Sequence, residues 1–143
     1  MAAATKARNV KHYGPDKGYI HGCKVKANAV IYAGTMIGKD ATGYYVPVTA
    51  ATGLSAVVVA LQDADATGKA NGALEIEGAT GIYGMEIASA GDALAQTDVG
   101  ATVYGLDNQT AAKTNGSSTR SAIGVLARVE GTQAYIQFGL GSL

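Results

Sequence analysis

Ala56-Val57-Val58-Val59-Ala60-Leu61 is the longest strictly apolar stretch of the chain, closed by Gly53 on one side and Asp63 on the other. Three successive β-branched residues favour an extended backbone, and a run without polar alternation suits a strand covered on both faces. Six residues are far too few to span a membrane. The run reads as the central buried strand of a sheet.

Strand and turn signals continue outward in both directions. Residues 33–38 are mostly apolar, Lys39-Asp40-Ala41-Thr42-Gly43 has turn chemistry, and residues 44–48 follow, which predicts a hairpin whose Pro47 marks an edge. On the other side, Leu74-Glu75-Ile76-Glu77 alternates, residues 82–87 form a further strand, and residues 88–94 contain Gly91-Asp92 and read as a turn with a short helical segment. Residues 102–106 are another strand. Residues 107–120 are polar, with Asn115-Gly116-Ser117-Ser118, and read as an exposed loop. Residues 122–129 and 133–138 flank Glu130-Gly131-Thr132, a second hairpin. Strands recurring about every 8–12 residues without a sustained helical pattern predict an all-β fold, a small compact sandwich or barrel with an extended N-terminal arm.

Composition limits the core. The chain has 143 residues, the length of one domain, and 48% are hydrophobic, but 27 of these are alanine and 20 residues are glycine. So thin a core favours additional burial against a partner. The single cysteine, Cys23, excludes an intrachain disulfide framework, and the first residues lack a secretory apolar region. Synthesis in a reducing cytoplasm and no membrane association are expected.

The net charge is zero but unevenly placed. Residues 1–39 carry seven basic side chains against Asp16, whereas residues 40–143 carry ten acidic side chains against four basic. The chain divides on this reading into a basic arm, 1–27, and a β-rich domain, 28–143. Gly14-Pro15 breaks any early helix, and the stretch from Tyr19 to Lys26 can extend as a strand. Such an arm either folds back on its own acidic body or reaches a neighbour, adding a strand or filling pockets. The candidate binding residues are Lys6, Arg8, Lys11, Tyr13, Lys17, Tyr19, Ile20, Lys24 and Lys26. The domain is expected to fold without residues 1–26.

Signals for chemistry are sparse. His12, His21 and Cys23 are at most three ligands where a structural zinc takes four, and they lie in the arm, away from any nucleophile and carboxylate of a hydrolytic triad. Asp63-Ala64-Asp65-Ala66-Thr67-Gly68 begins like a calcium loop, but its twelfth position is Leu74, so an acidic turn is the better reading. Glu75 and Glu77 share a strand face and read as solvated. Gly78, Gly81 and Gly84 have the wrong spacing for a dinucleotide fingerprint, and there is no phosphate loop. The arm lacks the basic–aromatic interleaving of a nucleic-acid surface. Asn108-Gln109-Thr110 and Asn115-Gly116-Ser117 match the glycosylation pattern by chance. No catalytic residue, metal site, cofactor or nucleic-acid partner is expected, and the chain does not read as an enzyme.

Residues 30–140 carry a resemblance. Gly91-Asp92-Ala93-Leu94, Thr97-Asp98-Val99-Gly100-Ala101-Thr102-Val103-Tyr104 and Leu106-Asp107-Asn108-Gln109-Thr110 come first. Ser121-Ala122-Ile123-Gly124-Val125-Leu126-Ala127-Arg128 and Thr132-Gln133-Ala134-Tyr135-Ile136-Gln137-Phe138 follow. This order resembles the head decoration, or capsid cement, proteins of tailed bacteriophages, and Val57 to Leu61 fits the central strand of that family. The long basic N-terminal segment departs from its pattern. The resemblance implies a compact β domain, commonly a homotrimer, on the outer surface of a phage head. It implies a structural virion role, with the major capsid protein as partner and clamping of neighbouring capsid subunits as the function. The alternative is a receptor- or carbohydrate-binding β module on a virion surface.

Overall fold

The structure, a computed structural model, describes residues 2–139, with the side chains of residues 12–17 and 21 outside that description. Its strands are β1 (His12–Lys24), β2 (Val30–Ile31), β3 (Met36–Lys39), β4 (Tyr45–Pro47), β5 (Ser55–Ala60), β6 (Ala64–Asp65), β7 (Glu75–Ile87), β8 (Thr102–Asp107), β9 (Thr110–Ala112), β10 (Ala122–Glu130) and β11 (Gln133–Phe138). Two single-turn 3-10 helices, Ala90–Asp92 and Gln96–Asp98, lie between β7 and β8. The fold is all-β. Strands β7, β9, β8, β10 and β11 close into a five-stranded barrel, because β11 pairs back onto β7. The sheet continues past β7 through β5 and β3 to β4.

The apolar run is β5, and it is covered on both faces. Val57 and Val59 enter the cluster that fills the barrel, with Met85, Val103, Leu126, Ile136 and Phe138. Val58 and Ala60 point the other way, into a second cluster with Cys23, Val25, Ile31, Ile37 and Ile76. A two-residue side-chain period sends successive valines to opposite faces, so a continuous apolar run serves two cores.

The second core has its own cover. A small ribbon pairs β2 with β6. The Asp-Ala-Asp-Ala segment supplies β6 by strand alternation. Ala64 and Ala66 are buried in the second cluster, while Asp63 accepts the Ala33 amide at 2.8 Å and Asp65 the Thr67 amide at 3.0 Å. Asp65 closes its own turn, whereas Asp63 ties the segment to the chain beyond β2.

Strand β7 differs from expectation. Residues 74–77 and 82–87 read as two separate strands, yet β7 runs unbroken for 13 residues through Gly78, Gly81 and Gly84 and pairs with β1, β5, β9 and β11. The glycines admit close neighbours. A Cβ at Gly78 would stand 2.6 Å from Val58 Cγ2, and one at Gly84 3.1 Å from the Tyr135 ring. Strand β9 lies in the segment expected to be an exposed loop. All three of its residues are buried, and it runs parallel to β7 and antiparallel to β8. Thr-Ala-Ala has almost no hydrophobic signal; it is buried because small side chains fit where the barrel closes.

The boundary expected at residue 27 falls inside the packed structure. Strand β1 pairs with β7 from His12↔Tyr83 to Lys24↔Glu75. Cys23 is 1% exposed and Val25 0%. Removing residues 1–26 would strip a strand from β7 and the Cys23 and Val25 side chains from the second core. The apolar spacing of this segment is uneven, so the sequence gives its inward-facing residues Val10, Ile20, Cys23 and Val25 no periodic signal.

Candidate functional site

The basic segment carries the candidate residues, and the structure puts them in three settings. Before β1, residues 2–11 form a leader across one end of the barrel. Gln109 Nε2 donates to the Ala2 carbonyl at 2.6 Å. The Asn108 amide takes both main-chain groups of Ala4, accepting from its N–H at 2.7 Å and donating to its carbonyl at 3.2 Å. The Arg8 amide donates to the Ala33 carbonyl at 2.7 Å, and its guanidinium Nη1 donates to the Gly34 carbonyl at 3.0 Å, close to Met85 Sδ. Val10 packs against the barrel core, and the Gly84 amide donates to the Lys11 carbonyl at 3.1 Å.

Arg8 therefore anchors the leader. Burial depresses its pKa, while Glu86 and Asp107 nearby oppose that shift. Gly34 makes the crossing possible. Its φ is +81°, and a Cβ there would lie 2.5 Å from the Arg8 carbonyl oxygen. Only glycine has both this backbone conformation and room for the passing chain.

The second setting is salt-bridged surface. Lys11 Nζ stands 4.0 Å from Glu130, whose carboxylate also pairs with Arg128. Lys26 Nζ is 2.6 Å from Asp40. The Lys26 hydrogen bond, joined by one from Thr42, holds the Asp40 carboxyl down to about 2. These contacts match the fold-back option for the arm: its charge meets the acidic body.

The third setting is solvent. Lys6 and Lys24 are exposed. Tyr19 is 50% exposed, while Ile20 turns inward against the second cluster. The side chains of Tyr13 and Lys17, like those of His12 and His21, lie outside the described residues. Cys23 is buried beside Tyr45; burial raises both groups, Tyr45 to about 12. The described candidates thus fall into three groups. Arg8 and Ile20 face the protein, Lys11 and Lys26 are paired, and Lys6, Tyr19 and Lys24 face water.

Sequence reading missed the leader's seat. Gly34, Asn108 and Gln109 lie far along the chain from it, and no spacing rule links such positions. Asn108, 5% exposed, stood out only through a glycosylation pattern and as part of the resemblance's Leu106–Thr110 motif, neither of which links it to the leader. Two other features complete the surface. An open apolar groove of about 280 Å³ lies between the starts of β5 and β10, lined by Leu54, Val57, Ile123 and Val125 among others. Asp92 ties down the segment after β9, accepting from Thr114 Oγ1 at 2.5 Å and pairing with Arg120 at 3.2 Å. Among the described residues, no group of three or more His, Cys, Asp or Glu side chains gathers as metal ligands, and no helix is long and apolar enough to cross a membrane. What the basic segment offers chemically is main-chain hydrogen bonding and positive charge. No protein-family model matches the chain, and neither does any curated protein or solved structure.

Proposed function

We propose that this chain is a structural, non-enzymatic virion protein that binds the outer surface of a tailed-phage head and holds neighbouring major capsid subunits together, acting as a homotrimer. The observation that carries the reading is where the residues of the resemblance lie. Thr97 to Tyr104 lead through a 3-10 turn into β8, Ser121 to Arg128 form most of β10, and Thr132 to Phe138 form β11. These three strands are consecutive neighbours in the barrel wall. Three of the five motifs are therefore adjacent strands, which supports reading them together. Exposed Lys6, Tyr19 and Lys24 supply charge and one aromatic ring for an acidic partner surface.

Attachment would act by linkage. A protein that binds only the mature shell stabilises it by about 2.7 kcal/mol per site at a free concentration 100 times Kd. Several linked contacts raise the total hold because each later contact forms at high effective concentration. The test is to mix purified protein with undecorated heads, sediment them and image the pellet by cryo-electron microscopy. Density at regular positions over the shell is the expected result. Protein left in the supernatant at saturating concentration, or binding to a glycan array in place of heads, would overturn the proposal.

A further inference from the structure

We propose that Asn115 is a site of spontaneous covalent modification, at which attack by the Gly116 main-chain nitrogen converts the asparagine to aspartate and isoaspartate.

The chain has two Asn-Gly pairs, Asn71-Gly72 and Asn115-Gly116. A glycine leaves its amide nitrogen sterically open, so both sequences permit the reaction. Both asparagines are exposed, which lets ammonia leave and water enter. The structure separates them by what holds the nucleophile. The Gly72 amide donates to the Val25 carbonyl at 2.9 Å, and Val25 is fully buried. Attack there requires that bond to break first. The Gly116 amide has only Thr114 Oγ1, at 3.4 Å, beyond the usual range for such a bond. That hydroxyl is itself turned towards Asp92.

Two further features favour Asn115. Arg120 packs directly on Gly116, where an added Cβ would lie 2.9 Å from Arg120 Nε and 3.1 Å from Cζ. A guanidinium therefore stands beside the nitrogen that must lose its proton, and a neighbouring cation stabilises the resulting anion. The Ser118 amide donates to Asn115 Oδ1 at 3.2 Å, which polarises the carbonyl under attack. The turn is also strained. Gly116, Ser117 and Ser118 have φ of +61°, +60° and +67°, a conformation unfavourable for the two serines. An exposed turn of this kind opens more readily than a strand, and opening lets the Asn115 side chain reach the Gly116 nitrogen.

The reaction balances with water alone. Hydroxide takes the proton of the Gly116 amide. The nitrogen bonds to Asn115 Cγ, the Cγ–Nδ2 bond breaks, and ammonia leaves with a proton from solvent. Water then opens the succinimide and a proton returns to the nitrogen. Opening at Cγ gives aspartate, and opening at the main-chain carbonyl gives isoaspartate. Both products add a negative charge. Isoaspartate also turns the Asn115 carbonyl, which accepts the Thr119 and Arg120 amides at 2.9 and 3.1 Å, into a free carboxylate. The inference is independent of attachment to a phage head.

The test incubates the full-length protein at mildly alkaline pH, natively and in urea. Samples are digested briefly at mildly acidic pH, where the reaction is slow, and read by mass spectrometry. Cleavage at Lys113 and Arg120 isolates residues 114–120, and an isoaspartyl methyltransferase labels the rearranged product. In the native protein Asn115 should convert about 10-fold or more faster than Asn71, because only Gly72 must first lose a hydrogen bond. In urea the two sites should convert at similar rates. Arg120→Gln should slow the native reaction at Asn115 by about 2–5-fold without changing its rate in urea, and Arg120→Lys should recover part of the loss. Native conversion of Asn71 as fast as that of Asn115, or conversion of Asn115 in urea alone, would overturn the proposal. Faster native conversion in Arg120→Gln would overturn the part given to Arg120, since that side chain would then only restrain the loop.

Discussion

Replacing Gly34 by alanine tests how the leader is held. Gly34 sits at φ +81°, where an alanine costs roughly 1–2 kcal/mol. The added Cβ would also stand 2.5 Å from the Arg8 carbonyl oxygen and 2.8 Å from the Arg8 Cβ. The first of these is backbone and cannot rotate away, so the leader must shift. That shift breaks the 2.7 Å bond from the Arg8 amide to Ala33 and the 3.0 Å bond from the guanidinium to Gly34, at about 1 kcal/mol net each. Gly43 provides the control. Its φ is +90° and nothing lies within 4 Å of a Cβ built there, so Gly43→Ala has the conformational cost without the collision. Urea titration should show G34A losing about 2 kcal/mol more than G43A. Amide exchange at Arg8 should accelerate in G34A alone, and trypsin should cut sooner after Lys6, Arg8 and Lys11. Equal stability of the two variants, with Arg8 protection unchanged, would refute the account of the seat.

Both faces of β5 should contribute to stability. Val58→Ala and Val59→Ala each empty a fully buried site in a different cluster, and each should cost about 1–3 kcal/mol by urea denaturation; a neutral V58A would show that the second cluster is not a core. Gly124→Ala places a Cβ 2.3 Å from the Gln137 carbonyl oxygen, so it should separate β10 from β11 and abolish the cooperative thermal transition seen by circular dichroism. Tyr45 is raised to about 12, so its share of stability is complete below about pH 10 and is lost as pH rises through 12; ultraviolet titration should show one tyrosine ionising late, a step that Tyr45→Phe removes. Asp40 is depressed to about 2, so its contribution is present above about pH 4 and lost as pH falls through 2; the acid-induced loss of stability should be smaller in Asp40→Asn. Attachment to heads, if carried by exposed lysines, should weaken between low and high salt, and co-sedimentation that is independent of salt would remove the electrostatic part of the proposal.

The candidate site was legible only in its composition. Charge counting marked residues 1–39 as basic, but nothing in the local sequence distinguishes Arg8, which is half-buried against Met85, from Lys6, which faces water. The two residues are neighbours in a run of small and basic side chains, and their difference arises from Gly34 and Asn108. The inward packing at the end of the basic segment was hidden for a related reason. Cys23 and Val25 are buried by Val58, Tyr45 and Ile76, and a two-residue apolar signal in a polar segment cannot announce such distant partners.

By itself the sequence determined the local geometry: an all-β chain, a continuous valine strand buried on both faces, two hairpins, and turns at Gly43 and Gly131. These follow from steric preference and two-residue alternation, which act between near neighbours. Tertiary structure alone decided that β11 returns to β7, that Thr110–Ala112 closes the barrel, that the glycines of β7 admit crossing side chains, and that the leader lies on Asn108 and Gln109. In each of these the partners are far apart along the chain, and the contact depends on how well two surfaces fit, a property that neither segment carries on its own.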